Sequence, residues 1–158
     1  MKKNTALLLA LAGTLGVTAL AARAEGVSPA QASTMNQLIA VYGEKAKVEA
    51  ARAALGKPHT VEPFTVENGR QIFLKSRNWE GEDQPACATC HTEDPKNQGR
   101  HAVSKKAIPP LAPAANAERF TDAEKVEKNF SIHCRELYSR DCTAAEKGHF
   151  LTYLLSVK

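Results

Sequence analysis

The sequence predicts an all-α fold, on three observations. Apolar residues recur at helical spacing, as Met35, Leu38, Ile39 and Tyr42 do. Two capping boxes, Thr121-x-x-Glu124 and Thr143-x-x-Glu146, announce helix starts. No stretch alternates apolar and polar residues as a half-buried strand would.

Residues 1–24 read as a secretory leader. Lys2 and Lys3 form its basic start, Ala6 to Ala22 its apolar stretch, and Ala22-Arg23-Ala24 a small-x-small cleavage site. The alternative is an uncleaved anchor, because the apolar run is just long enough to span a bilayer. Cleavage leaves a mature chain starting at Glu25, long enough for one domain. We expect an N-terminal helix and linker over 25–66 and the main domain over 67–158. The formal charge of +4 falls to near balance once Lys2, Lys3 and Arg23 leave, which argues against a nucleic-acid partner.

Gln31 to Leu55 is predicted helical, with its Ala-, Lys- and Glu-rich tail solvated. Pro58 and Pro63 break the chain after it. Val66 to Lys75 forms a second helix, where Gly69 and Phe73 prepare a close helix contact. Ser76 to Ala86 reads as polar loop. Thr92 to Arg119 is mostly irregular and carries Pro109, Pro110 and Pro113. The capping boxes then start helices that run to about Ser139 and Val157.

Cys87-Ala88-Thr89-Cys90-His91 is the run that carries chemistry. Two thiols at C-x-x-C spacing can add to the vinyl groups of one haem, and the following histidine then lies beneath the iron. The run points to a single covalent haem c, with Cys87 and Cys90 as attachment sites and His91 as proximal ligand. Export fits this, since c-type haem is attached outside the bacterial cytoplasm; the protein is expected in the periplasm.

Gly69 with Phe73, then the C-x-x-C-H run, a Pro-rich loop and an aromatic terminal helix together resemble a class I cytochrome c. That resemblance implies crossing helices at Gly69. It also implies a proline carbonyl, from Pro109 or Pro110, that accepts the proximal imidazole N–H.

Class I cytochromes usually supply a downstream methionine as sixth ligand. This chain has only Met1 and Met35, both upstream of the run. His133 is the leading donor, because Val126, Phe130, His133 and Leu137 share one helical face. A histidine on an apolar face is more often a core residue than a ligand, but an open iron site must lie near this one. His101, His149 and Met35 remain alternatives, and His59 reads as solvated.

Cys134 and Cys142 are the other cysteine pair. In an exported protein they are expected to form a disulfide, worth about 2.5 kcal/mol in the chain-entropy model. A zinc site shared with Cys87 and Cys90 is the competing reading, and it would compete with haem attachment.

A wider set of residues resembles the SHP-type cytochromes c, an oxygen-binding branch of class I. It comprises Gln37-Leu-Ile-Ala40 with Tyr42, Gly69-Arg70 with Phe73-Leu74, and Cys87 to His91. It continues with Ile108-x-Pro-Leu-Ala-Pro113, Arg119-Phe-Thr-Asp122, Val126-Glu-Lys128, Cys134, Arg140-Asp-Cys-Thr143 and Glu146-Lys147. The resemblance implies a monohaem class I fold with a disulfide beside the distal site. In the family an asparagine at the position of His133 binds ferric iron weakly and leaves on reduction; residues 47–65 run longer than the family pattern.

The leading expectation is an electron carrier with His91 and His133 on the iron. The resemblance suggests a di-haem cytochrome c or a membrane b-type cytochrome as redox partner. The second expectation is a protein that binds oxygen, nitric oxide or another diatomic when His133 detaches. An enzyme has no support, since no acid–base groups can be placed beside an open iron.

Overall fold

The computed structural model describes residues 26–79 and 82–158. The expected leader, residues 1–24, lies outside the described residues. Helix α1 spans Pro29–Ala53, and its start is built from Ser28-Pro29-Ala30-Gln31. The Ser28 hydroxyl accepts the Gln31 N–H while the Gln31 side chain accepts the Ser28 N–H, and Pro29 occupies the first turn. The predicted start at Gln31 missed this earlier capping box. Leu55 and Gly56, both at positive φ, end the segment.

The face of α1 carrying Met35, Leu38, Tyr42 and Ala46 is buried. Its tail is mostly exposed, as expected, with two points of attachment. Ala46 is buried, and the Glu49 carboxylate accepts the Ala144 N–H at 3.0 and 3.3 Å. That acid sits at the start of a later helix, where the unpaired N–H groups favour negative charge.

Helix α2 (Val66–Leu74) is capped by Thr65 and buries Gly69 and Phe73. Strands β1 (Arg77–Trp79) and β2 (Glu82–Gln84) pair antiparallel in a stretch expected to be loop. Three-residue strands are too short to show the alternation that sequence patterns detect. One turn of helix, α3, spans Cys87–His91. A second small hairpin joins β3 (Gly99–Arg100) to β4 (Ala107–Ile108), and a 3-10 turn covers Pro113–Ala115.

Helix α4 (Ala123–Tyr138) starts one residue later than its predicted capping box. Asp122, not Thr121, accepts the N–H groups of Glu124 and Lys125, at 2.9 and 3.1 Å. The Thr121 hydroxyl instead donates to the Glu118 carbonyl. A carboxylate at the cap gains from the helix dipole as well as the hydrogen bonds. Helix α5 (Ala144–Ser156) has the reciprocal Thr143–Glu146 box the sequence predicted.

α5 packs on both α1 and α2. A Cβ on Gly69 would run into the His149 carbonyl oxygen and lie 2.6 Å from the Tyr153 Cβ. Backbones this close need glycine. Met35, Tyr42, Phe73, Leu151 and Leu154 form the fully buried centre, with Leu111 and Val126 at its edge towards the site.

Candidate functional site

The one-turn helix α3 is held from one side by the β3–β4 hairpin. Gly99 is buried against α3, and a Cβ there would collide with the Cys90 carbonyl. At the hairpin tip, the Ala102 N–H points at the Cys90 Sγ from 3.3 Å. Cys87 and Cys90 are both half-buried and both border a cavity of about 410 Å³. That volume lies in the range of small-molecule sites. Apolar side chains, among them Ile72, Leu111, Phe120, Val126 and Phe130, wall the cavity.

His91 and His133 face each other across this space. Their ring centres are 6.5 Å apart and their planes 85° apart. Two metal–nitrogen bonds of about 2.0–2.1 Å, with about 1.1 Å from each nitrogen to its ring centre, span about 6.3 Å. The observed separation therefore fits one metal ion between two imidazoles. Burial first, then the charges of Arg119 and His133, push the His91 imidazole down to about 4, so it is neutral at pH 7. Neutral imidazole is the form that ligates metal. Its Nδ1 is buried with no hydrogen-bond partner.

An apolar cavity, two thiols on its wall and two opposed imidazoles fit a haem attached at Cys87 and Cys90. The proline carbonyls do not take the role the class I resemblance implied. The Pro109 carbonyl accepts from Arg119 Nη2 at 3.4 Å, and that of Pro110 from Asn116 Nδ2 at 3.1 Å and Arg119 Nε at 3.4 Å. Neither oxygen is within hydrogen-bond reach of the His91 Nδ1, which has no partner. Pro109 still lines the cavity.

The other histidines have different work. His149 Nδ1 accepts the Thr65 N–H at 2.9 Å, so it ties the cap of α2 to α5. His101 borders the cavity, but its Nδ1 accepts the N–H groups of Val103 and Ser104 and shapes the hairpin tip. His59 is exposed, and Met35 is fully buried in the core. Cys134 and Cys142 are joined in a disulfide, with Cα atoms 5.5 Å apart, immediately after His133 and before the cap of α5.

Three further residues were given no role from the sequence. Gln31 is fully buried, and its Nε2 donates towards the carbonyls of Pro113, Asn116 and Arg119, at 3.2, 2.9 and 2.8 Å. It thereby hangs the loop that walls the cavity from α1. Its signal was available: Gln31 precedes Met35, Leu38 and Tyr42 in the same apolar register. Arg119 fastens that loop to itself, and burial lowers its guanidinium from its ordinary value. Glu136, one turn beyond His133, places Oε2 3.2 Å from the His133 Nδ1.

A family model described as "Domain of unknown function (DUF1924)" matches residues 59–154. Cytochrome c'' of Methylophilus methylotrophus is 39% identical over 102 residues, which cover 62% of this chain and 71% of that protein. The cytochrome c-type protein SHP of Cereibacter sphaeroides is 40% identical over 92 residues, covering 58% of this chain and 70% of that protein. The crystal structure of oxidized cytochrome c'' superposes with a TM-score of 0.63 at 32% identity, over 80% of this chain and 96% of that one. The structure of oxidized SHP, described as an oxygen-binding cytochrome c, gives 0.62 at 34% identity, over 82% and 96%. A solution structure of cytochrome c'', described as bearing on haem-ligand detachment, gives 0.62 at 34% identity, over 78% and 94%.

Proposed function

The chain belongs to the DUF1924 family, and we propose that this haem cytochrome, a relative of cytochrome c'' and SHP, is an exported monohaem electron carrier. Cys87 and Cys90 would hold the porphyrin covalently, His91 would bind the iron on one side and His133 on the other. The observation that carries this reading is the 6.5 Å between the His91 and His133 ring centres.

Haem c supplies a one-electron couple at its iron. His91 would bind it from a short helix packed against Gly99, and His133 from α4. Two neutral nitrogen donors in place of histidine and methionine lower the potential. The apolar wall of Leu111, Val126 and Phe130 excludes water, and Arg119 puts a positive charge beside the site. A di-haem cytochrome c or a membrane b-type cytochrome would exchange the electron.

A second reading has a specific observation in its favour. The His133 side chain is 58% exposed and its ring is bonded to a surface carboxylate and not packed in the core, so it can leave the iron without disturbing the fold. If it detaches on reduction, the ferrous site opens to oxygen, nitric oxide or carbon monoxide. The descriptions of the relatives bear on this second reading: one is described as oxygen-binding, the other in connection with haem-ligand detachment.

Absorption spectra of both oxidation states, with and without carbon monoxide, separate the two. Low-spin iron in both states with negligible CO uptake identifies the carrier. A high-spin ferrous form that takes up CO at once would replace that reading with ligand binding.

A further inference from the structure

Glu136 stands three residues after His133 on α4 and borders the same cavity. Its Oε2 lies 3.2 Å from the His133 Nδ1. A carboxylate can only accept a hydrogen bond, so the proton of this contact sits on Nδ1 and the lone pair on Nε2. Histidines that bind metals typically make such a bond through the nitrogen that faces away from the metal.

We infer that Glu136 is a positioning residue for the distal imidazole, fixing its tautomer and favouring its bond to ferric over ferrous iron. The inference rests on His133 being the distal ligand, as proposed above. The physical cause is charge: a carboxylate on Nδ1–H makes the imidazole a stronger donor, and the more highly charged ferric iron gains more from it. Glu136 also limits ring rotation in a side chain that is otherwise 58% exposed. It would therefore set how readily His133 leaves on reduction. Arg135, beside Glu136, is engaged by Asp141 and so does not compete for the carboxylate.

The test uses the ferric and ferrous holoprotein with Glu136→Ala, Glu136→Gln and, as control, Glu124→Ala on the first turn of α4. Loss of a hydrogen-bond partner behind a metal-binding imidazole costs about tenfold at the lower end of its range. Glu136→Ala should cut the ferric-over-ferrous preference about tenfold, a rise in potential of about 59 mV for one electron. It should also speed CO binding to the ferrous form and abolish the slowly exchanging Nδ1–H signal of His133 in the ferric NMR spectrum. Glu136→Gln keeps an acceptor oxygen, so the signal should persist while the potential shifts part of the way. Glu124→Ala should match wild type. Wild-type potential, CO rate and Nδ1–H signal in Glu136→Ala overturn the inference, while a high-spin ferric His133→Ala keeps the ligand assignment standing. A low-spin His133→Ala removes the ligand assignment and this inference with it.

Discussion

Gln31 fixes the position of a wall of the site from more than eighty residues away. Its amide reaches three carbonyls of the Pro113–Arg119 segment from a fully buried position on α1. Replacement by leucine removes the amide: the Arg119 oxygen loses the donor it has here, while those of Pro113 and Asn116 keep the backbone N–H groups of Asn116 and Arg119. Unsatisfied buried acceptors cost about 1–3 kcal/mol. Gln31→Leu should therefore lower the unfolding free energy by about 2 kcal/mol in a denaturant titration. It should also broaden the haem absorption bands if the loop shifts. A change below 0.5 kcal/mol, an estimate well under that range, would show that water replaces the amide.

At the scale of elements, the crossing of α2 on α5 and the disulfide at the end of α4 carry most of the geometry. The first requires Gly69, because any Cβ there meets the His149 carbonyl. Overpacking of this kind typically costs about 1–3 kcal/mol, and backbone cannot rotate aside as a side chain can. Gly69→Ala should lose about 3 kcal/mol by thermal or chemical unfolding. The second element is the Cys134–Cys142 bridge, which closes a short loop next to His133. Replacing both cysteines by serine should cost about 2.5 kcal/mol. It should also change the CO-binding rate of the ferrous protein, since the end of α4 is then freer to carry His133 away. Equal rates in the two proteins would confine the bridge to a stabilising role.

For the whole molecule, the parts legible in the sequence are those whose signal is local. Cys87, Cys90 and His91 carry their proposed chemistry within five positions, and Thr143 with Glu146 announces a helix start within four. The helical face of Val126, Phe130 and His133 was equally readable, because a period needs only one segment. What was not readable depends on partners far along the chain or on choices among neighbours. Gln31 meets its carbonyls only after α1 folds onto the loop, and Glu49 meets Ala144 only across the α1–α5 packing. The capping role passed from Thr121 to Asp122 by a margin too small for the pattern to resolve. The proline carbonyls accept from Arg119 and Asn116, partners that come together only in the folded loop. Export and attachment have a direct readout at this scale. The intact mass of the secreted holoprotein should equal the chain from Glu25 plus one haem that survives acid denaturation. Loss of the haem under acid would refute covalent attachment at Cys87 and Cys90.

The central claim is that His133 completes the iron site opposite His91. Ferric absorption and EPR spectra of His133→Ala beside wild type test it most directly. The geometry predicts low-spin iron in the wild type and high-spin iron in the variant; a variant that stays low-spin would contradict it.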